Sequence, residues 1–373
     1  MRAVFLYTGV DWSGSARAFS VAARAFAEAG DPVTFVVDPQ AHVKEHVPGA
    51  GFEIAELDAG GGWLNAALGL RKILRAKNPD VVFVHTDKEH LIAAVACWLA
   101  RRANVVRRTP AGSRLNMGTG ARFAAWLRRT VYLFTHEADV RAAVLPRGAT
   151  TVAAELGVDP SRYPVDLEGE ELAQADAATA ERDKGSHFLC IYDLHARGRA
   201  AMAIRTLAML APRHPDVHLF VVGPGSDYED VRMHIAAVDL LSRVSLLGER
   251  DDVAALIAAA DLGWVACEGD EAAFAMLDMM ALGVPVVTAE DAIARRYVAD
   301  GISGLVVPWG DAALAAGMVA GLLASPERIA AMGDAARARV ARDFGEREML
   351  DGFDRAATLA RGSKRASSPR QAD

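Results

Sequence analysis

Short, continuously apolar runs alternate with longer stretches of helical periodicity along most of the 373-residue chain. Strand-like runs in the first half are AVFLYT, PVTFVV, DVVFVH, NVVRRT, VYLFT and TTVAAEL; in the second they are HFLCIYD, HLFVVG, RVSLLG, LGWVAC, PVVTA and SGLVVP. Runs that are apolar at nearly every position belong to strands buried on both faces, as in parallel sheets covered by helices. The pattern predicts an α/β chain of two Rossmann-like, doubly wound parallel-sheet domains facing a cleft. Length agrees, because single cores rarely grow past about 250–300 residues. Between the two series, residues 157–186 are acidic, poor in apolar residues and carry Pro160 and Pro164, which is linker composition. We therefore expect domains at 1–160 and 187–344, a linker at 161–186 and a helix at 345–361 packing back toward the first domain. The Ser-rich basic end, 362–373, is expected to be a disordered tail.

A net charge of −7 argues against wholesale nucleic-acid binding. Cys97, Cys190 and Cys267 stand singly in apolar surroundings, as buried thiols in a reducing compartment would. MRAVFLYTG reads as a first strand rather than a leader, and LIAAVACWLA (91–100) falls far short of the roughly 20 residues that span a bilayer. A cytoplasmic protein is expected.

The most informative stretch is CEGDEAAFAMLDMMALGVPVVTAE (267–290). It reads as three acids, an apolar helix and a strand, with Asp270 or Glu271 capping the helix and its amino end forming an anion site. Asp278 sits among Ala, Phe, Met and Leu, where an unpaired buried carboxylate costs several kcal/mol. Either a partner meets it or a ligand fills the space beside it. Asp270 and Asp278 are about 12 Å apart along the axis, and Glu271 and Asp278 lie about 20° apart around it. Two such acids flanking a helix start would suit a nucleoside-diphosphate sugar, since a carboxylate offers two acceptors to a vicinal diol.

This stretch resembles the donor-binding segment of GT-B glycosyltransferases of the family 4 (retaining, group 1) type. ELGVDPSRY (155–163), FVVGPG (220–225), VSLLGERDDVAALIAAADL, DGISGLVVPWGDAALAAGM (300–318) and SPERIAAMGDAARARVARDF are similar to that family in order and spacing. The resemblance implies an acceptor domain followed by a nucleotide-sugar domain. Asp278 would bind ribose and Asp270 the transferred sugar, while Ala272, Ala273 and Phe274 present backbone amides to the donor. Glu271, Gly223, Gly248 and Gly14 fall among the donor-binding positions. The first acid stays open among Glu268, Asp270 and Glu271. In IYDLHARGRAA (191–201) the family's Lys position is Arg197, its Arg position reads Tyr192, and Arg199 is a substitute cation. Both acids are one methylene shorter than the family's glutamates, and Glu-Ala-Ala replaces its Gly-Phe-Gly.

In the first half, Gly14 between two serines fits a tight strand-to-helix turn near a ligand. His85 ends a strand at a cleft-facing edge and is the candidate acceptor-orienting residue, against a purely structural histidine. HTDKEH lacks a third ligand at zinc spacing, so no metal is expected. From His90 to His136 there are eight arginines, with Phe123, Trp126 and Leu127 among them. Residues 101–134 read either as a peripheral membrane contact or anionic-acceptor site, or as a solvated helix with its apolar side packed inward.

The combined reading is a cytoplasmic hexosyl-type transferase of bacterial glycan biosynthesis, without cofactor or metal, with the inner face of the membrane as the alternative location if residues 101–134 make the membrane contact. It would move sugar from a nucleotide donor to a glycan, lipid or small-molecule acceptor with retention. The alternatives are a non-catalytic binding or assembly subunit of the same fold, or a sugar-nucleotide epimerase.

Overall fold

The computed structural model describes residues 1–47, 51–115, 117–162, 187–192, 197–223, 228–250 and 252–362. Most of the expected linker, the loop 193–196 and nearly all of the expected tail lie outside them. The chain divides into two units, one of residues 1–155 and 348–373, the other of 156–347.

The first unit holds seven parallel strands: β1 (Ala3–Tyr7), β2 (Val33–Val37), β3 (Glu53–Glu56), β4 (Val81–Val84), β5 (Asn104–Arg108), β6 (Thr130–Phe134) and β7 (Thr150–Ala153). Its helices are α1 (Gly14–Glu28), α2 (Trp63–Lys77), α3 (Asp87–Ala100), α4 (Thr119–Leu127) and α5 (Glu137–Ala142). The strand order is β3-β2-β1-β4-β5-β6-β7. Every first-half run named above forms a strand; β3, with exposed Glu53 and Glu56, was not foreseen.

Side chains alternate across a strand, and here the two faces differ in kind. Phe5 stacks on Phe83 with centroids 4.5 Å apart, and Phe19 of α1 meets Phe5 edge-on at 5.5 Å. On the other face Val4, Leu6, Val36, Val82 and Val84 pack against aliphatic residues of α2 and α3. Phe353 comes from far along the chain and closes the aromatic face, 5.6 Å from Phe83 and 6.3 Å from Phe19.

The second unit has β8 (His187–Tyr192), β9 (His218–Val222), β10 (Val244–Gly248), β11 (Leu262–Ala266), β12 (Val286–Ala289) and β13 (Gly304–Val307), all parallel, in the order β10-β9-β8-β11-β12-β13. Its described helices are α6 (Arg197–Leu210), α7 (Tyr228–Ala237), α8 (Val253–Ala258), α9 (Gly269–Ala281), α10 (Ala294–Tyr297), α11 (Ala312–Leu323) and α12 (Pro326–Asp343). The last helix, α13 (Glu346–Arg361), carries Phe353 back to the first unit. Helix α9 lies so close on β11 that a Cβ at Gly263 would run into the Met279 thioether.

Among the described residues, no single helix is long and apolar enough to cross a membrane. All three cysteines are free and buried.

Candidate functional site

In the second unit the strand order reverses between β8 and β11, where doubly wound sheets leave a crevice beyond the strand carboxyl ends. Tyr192 and Ala266, the last residues of these strands, are register partners. The Cys267 thiol donates to the Ile191 carbonyl at 3.3 Å, so the two strand ends stay together. Arg199, in the first turn of α6, gathers the neighbouring loops. Its Nη2 donates to Asp291 at 2.6 Å and its Nε to Glu268 at 3.4 Å. The guanidinium carbon stands 5.2 Å from the centre of the Trp309 ring. Glu268, Asp291 and Trp309 follow β11, β12 and β13, so one cation ties the carboxyl ends of these strands to the helix after β8. Sequence reading left Arg199 as a substitute for a missing cation and did not foresee Asp291 or Trp309. Their signal was position, two residues beyond an apolar strand.

Helix α9 starts differently from the expectation. Glu268, not Asp270 or Glu271, is its N-cap residue, extended at φ −130°, and its side chain makes no capping hydrogen bond. Gly269 follows at φ +61°, in the left-handed region that favours glycine. Asp270 and Glu271 therefore occupy the first turn. The amides that point out of the helix end are those of Gly269–Glu271. Ala272 instead donates to the Glu268 carbonyl at 3.3 Å, which corrects the assignment of Ala272, Ala273 and Phe274 as amide donors to a ligand. The side chains of those three residues are buried.

The expected deep burial of Asp278 is corrected as well. Residues 272–281 are buried except Asp278, which is half-buried, as is Glu271. The sheet and the helices α8, α10 and α12 enclose α9, leaving one accessible strip that carries both carboxylates. Seven residues apart, they are separated by about 10 Å along the axis. Asp270 is turned inward and only 4% exposed. Thus the acid that shares a line with Asp278 is Glu271, while Glu268 reaches Arg199.

Gly223 and Gly248 meet, the Gly223 amide donating to the Gly248 carbonyl at 3.0 Å at the ends of β9 and β10. Gly248 has φ +69°. Arg197 is the first residue of α6 and Tyr192 the last of β8; the side chains of both lie outside the described residues.

The first unit has its own reversal, between β1 and β4. His85 follows β4 there, stacked on Tyr7 with centroids 5.0 Å apart, its Nδ1 2.7 Å from Glu89 Oε2. Glu89 has no exposed surface and gathers donors: the Thr8 amide at 2.7 Å, the His85 amide at 2.9 Å and the Thr86 amide at 3.1 Å. Burial alone would raise its pKa; the His85 ring and the amides of His85 and Thr8 outweigh that and hold it at about 2. Sequence reading passed over Glu89, although TDKE (86–89) is a capping-box signature. Gly14 is not in the turn but opens α1, capped by Ser13, whose Oγ accepts from the Ala16 amide at 3.2 Å.

His90 is buried and bonds Thr130 at 3.0 Å; burial and Arg107 push its pKa down to about 3. Arg107 and Arg108 leave the expected basic patch altogether. They alternate along β5 into opposite covered faces, Arg107 toward Asp87 (2.9 Å) and Arg108 toward Ser15 (3.4 Å). In contrast, Phe123 and Trp126 of α4 do not pack inward: they are 46% and 78% exposed.

Two family descriptions match the chain in succession, a glycosyl transferase 4-like domain over residues 13–165 and glycosyl transferases group 1 over residues 186–325. The chain belongs to the group 1, family 4-type GT-B glycosyltransferases. The phosphatidyl-myo-inositol mannosyltransferase of Mycolicibacterium smegmatis is 31% identical over 173 residues, 45% of this chain and 44% of that one. N-acetyl-alpha-D-glucosaminyl L-malate synthase of Bacillus anthracis is 27% identical over 139 residues, 37% of this chain and 36% of that one. This glycosyltransferase-family chain thus spans less than half the length of these curated relatives. Anabaena Alr3699/HepE in complex with UDP and glucose superimposes with a TM-score of 0.80 at 18% identity, covering 96% of this chain and all of that one, which shows the shared GT-B fold.

Proposed function

We propose that this chain transfers a sugar from a nucleoside-diphosphate donor to a hydroxyl-bearing acceptor, with retention, in bacterial glycan biosynthesis. The observation that carries this reading is the convergence of the strand ends of the second unit on Arg199, beside the amino end of α9 and its strip of two carboxylates. A diphosphate at that end meets the helix dipole and the amides of Gly269–Glu271. Arg199 lies among the same strand ends, already held in place, which lowers the reorganisation needed as charge develops on the departing phosphate. Asp278 accepts from the ribose hydroxyls and Glu271 from the sugar. Asp270, placed by resemblance at the sugar, supports the first turn from within. No metal or cofactor is required in this reading. In the first unit His85, oriented by Glu89, positions the acceptor hydroxyl, and the departing phosphate takes its proton. Support for a sugar-nucleotide donor comes from the UDP and glucose bound to the Anabaena protein and from the mannosyltransferase named above. The exposed arginines and aromatics within residues 101–134, Arg107 and Arg108 excluded, support a peripheral site at the inner face of the membrane.

The test is calorimetric titration with UDP, GDP and ADP, followed by donor hydrolysis with the matching sugar nucleotides. Binding of one nucleotide in the micromolar range with slow hydrolysis is expected. Failure to bind any of them overturns the reading, and binding without turnover on any donor or acceptor favours a non-catalytic subunit.

A further inference from the structure

A cavity of about 780 Å³ lies in the first unit between α4 and the segment that leads into β7. Thr130 and Thr150, the first residues of β6 and β7, line it, so it sits at the opposite end of the sheet from His85. Tyr132 provides an apolar wall, Arg122, Arg129 and Arg147 line it, and among the described residues no carboxylate does. Trp126 and Val144, 78% and 55% exposed, stand at its mouth. Phe123 lies against Trp126 with centroids 5.9 Å apart. Gly362 ends the described chain close to Arg129 Nη1, and the sequence continues with Lys364, Arg365 and Arg370.

Such a site has two halves with different demands. Three guanidiniums without a nearby acid repel one another until an anion joins them, and arginine chelates phosphate oxygens in a planar fork. Exposed Trp and Phe beside them gain most where one side of the ring is apolar and the other wet. A soluble anion satisfies only the first half and an apolar small molecule only the second. The volume is that of a ligand pocket rather than a flat patch.

We propose that this cavity takes the phosphoester headgroup and first acyl carbons of an anionic membrane lipid, docking the first unit on a bilayer. It rests on the membrane-contact reading of residues 101–134 and extends it to a defined pocket that includes residues 144–150. Each arginine at such a surface contributes about fivefold in binding.

The experiment is co-sedimentation of the full chain with vesicles of phosphatidylcholine alone, or of equimolar phosphatidylcholine and phosphatidylglycerol, with tryptophan emission recorded in parallel. Binding to the mixed vesicles alone, with a blue shift lost in Trp126→Ala, is expected. The pair Arg122→Ala and Arg147→Ala should weaken it by about 25-fold, while thermal unfolding and donor hydrolysis without vesicles stay as in the parent. Equal binding to neutral vesicles overturns the proposal. So does displacement by millimolar inorganic phosphate, which would mark a site for a free anion. If the arginine pair binds normally but Phe123→Ser with Trp126→Ser does not, the cavity proposal fails while the membrane reading stands. Donor hydrolysis by the parent tests the transferase reading separately from all three.

Discussion

Replacing Glu89 by Gln removes one charge from the most enclosed carboxylate of the first unit while keeping its shape. The side chain faces only donors: the Thr8 amide and hydroxyl at 2.7 and 3.0 Å, the His85 and Thr86 amides, and the His85 ring. A glutamine must turn its NH2 group toward some of them. The folded-state pKa of Glu89 is about 2, against an ordinary value of 4.5. A folded pKa below the unfolded one means the charged carboxylate stabilises the fold above the unfolded value, and that this contribution fades as pH falls through about 2. Between 4.5 and 2 the difference amounts to about 3 kcal/mol at pH 7, shrinking to roughly half by pH 3. Urea unfolding of parent and Glu89→Gln, followed by far-ultraviolet circular dichroism at pH 7, 5, 4 and 3, measures it. The gap between the two proteins should be widest at neutral pH and narrow on acidification. A constant gap across the series would mean that Glu89 acts by packing or as a neutral acceptor, and the account of how His85 is held would be wrong.

Three other outcomes are expected. Asp278→Ala should weaken nucleotide binding about 10- to 100-fold, as loss of a charged hydrogen-bond acceptor does, and shift the urea midpoint little because the side chain is half-buried; a large stability loss with binding intact would assign it a structural partner instead. Arg199→Ala should destabilise the second unit by about 2 kcal/mol and abolish donor binding, since Glu268 and Asp291 would then face each other and the diphosphate without a cation; calorimetry showing unchanged nucleotide affinity would remove Arg199 from the site. Burial pushes the Cys97 and Cys190 thiols up to about 12, so neither should react with a disulfide reagent at pH 8 until urea unfolds the chain; rapid labelling of either in the native protein would contradict their burial.

What could be read from the sequence was whatever burial writes into it. Strands covered on both faces are apolar at nearly every position, which is why the runs around Phe5, Val82, Phe188 and Val287 were visible as strands. β3 was not visible, because it is an edge strand whose exposed Glu53 and Glu56 break the apolar pattern. Arg107 and Arg108 misled for a related reason. Adjacent charges suggest a surface, yet in a strand they point to opposite faces, and each here is covered. The apolar composition around Asp278 suggested deep burial, but a helix enclosed on several sides is apolar almost all round and still keeps one open strip. That Asp278 and Glu271 share one line of the helix was legible from its periodicity; where the helix begins was not. That start falls at Gly269 rather than two or three residues later, and a left-handed glycine leaves no periodic trace.

The aromatic face of the first unit is assembled from stretches of chain separated by the whole second unit. Phe5, Phe19 and Phe83 are translated early, but Phe353, which covers them, follows only after residues 156–347 have been made. At about 5–20 residues per second, the ribosome leaves that face uncovered for on the order of 10–40 s. During that interval the nascent sheet offers an apolar surface to chaperones and to other nascent chains. A stop codon anywhere before α13 would make the exposure permanent.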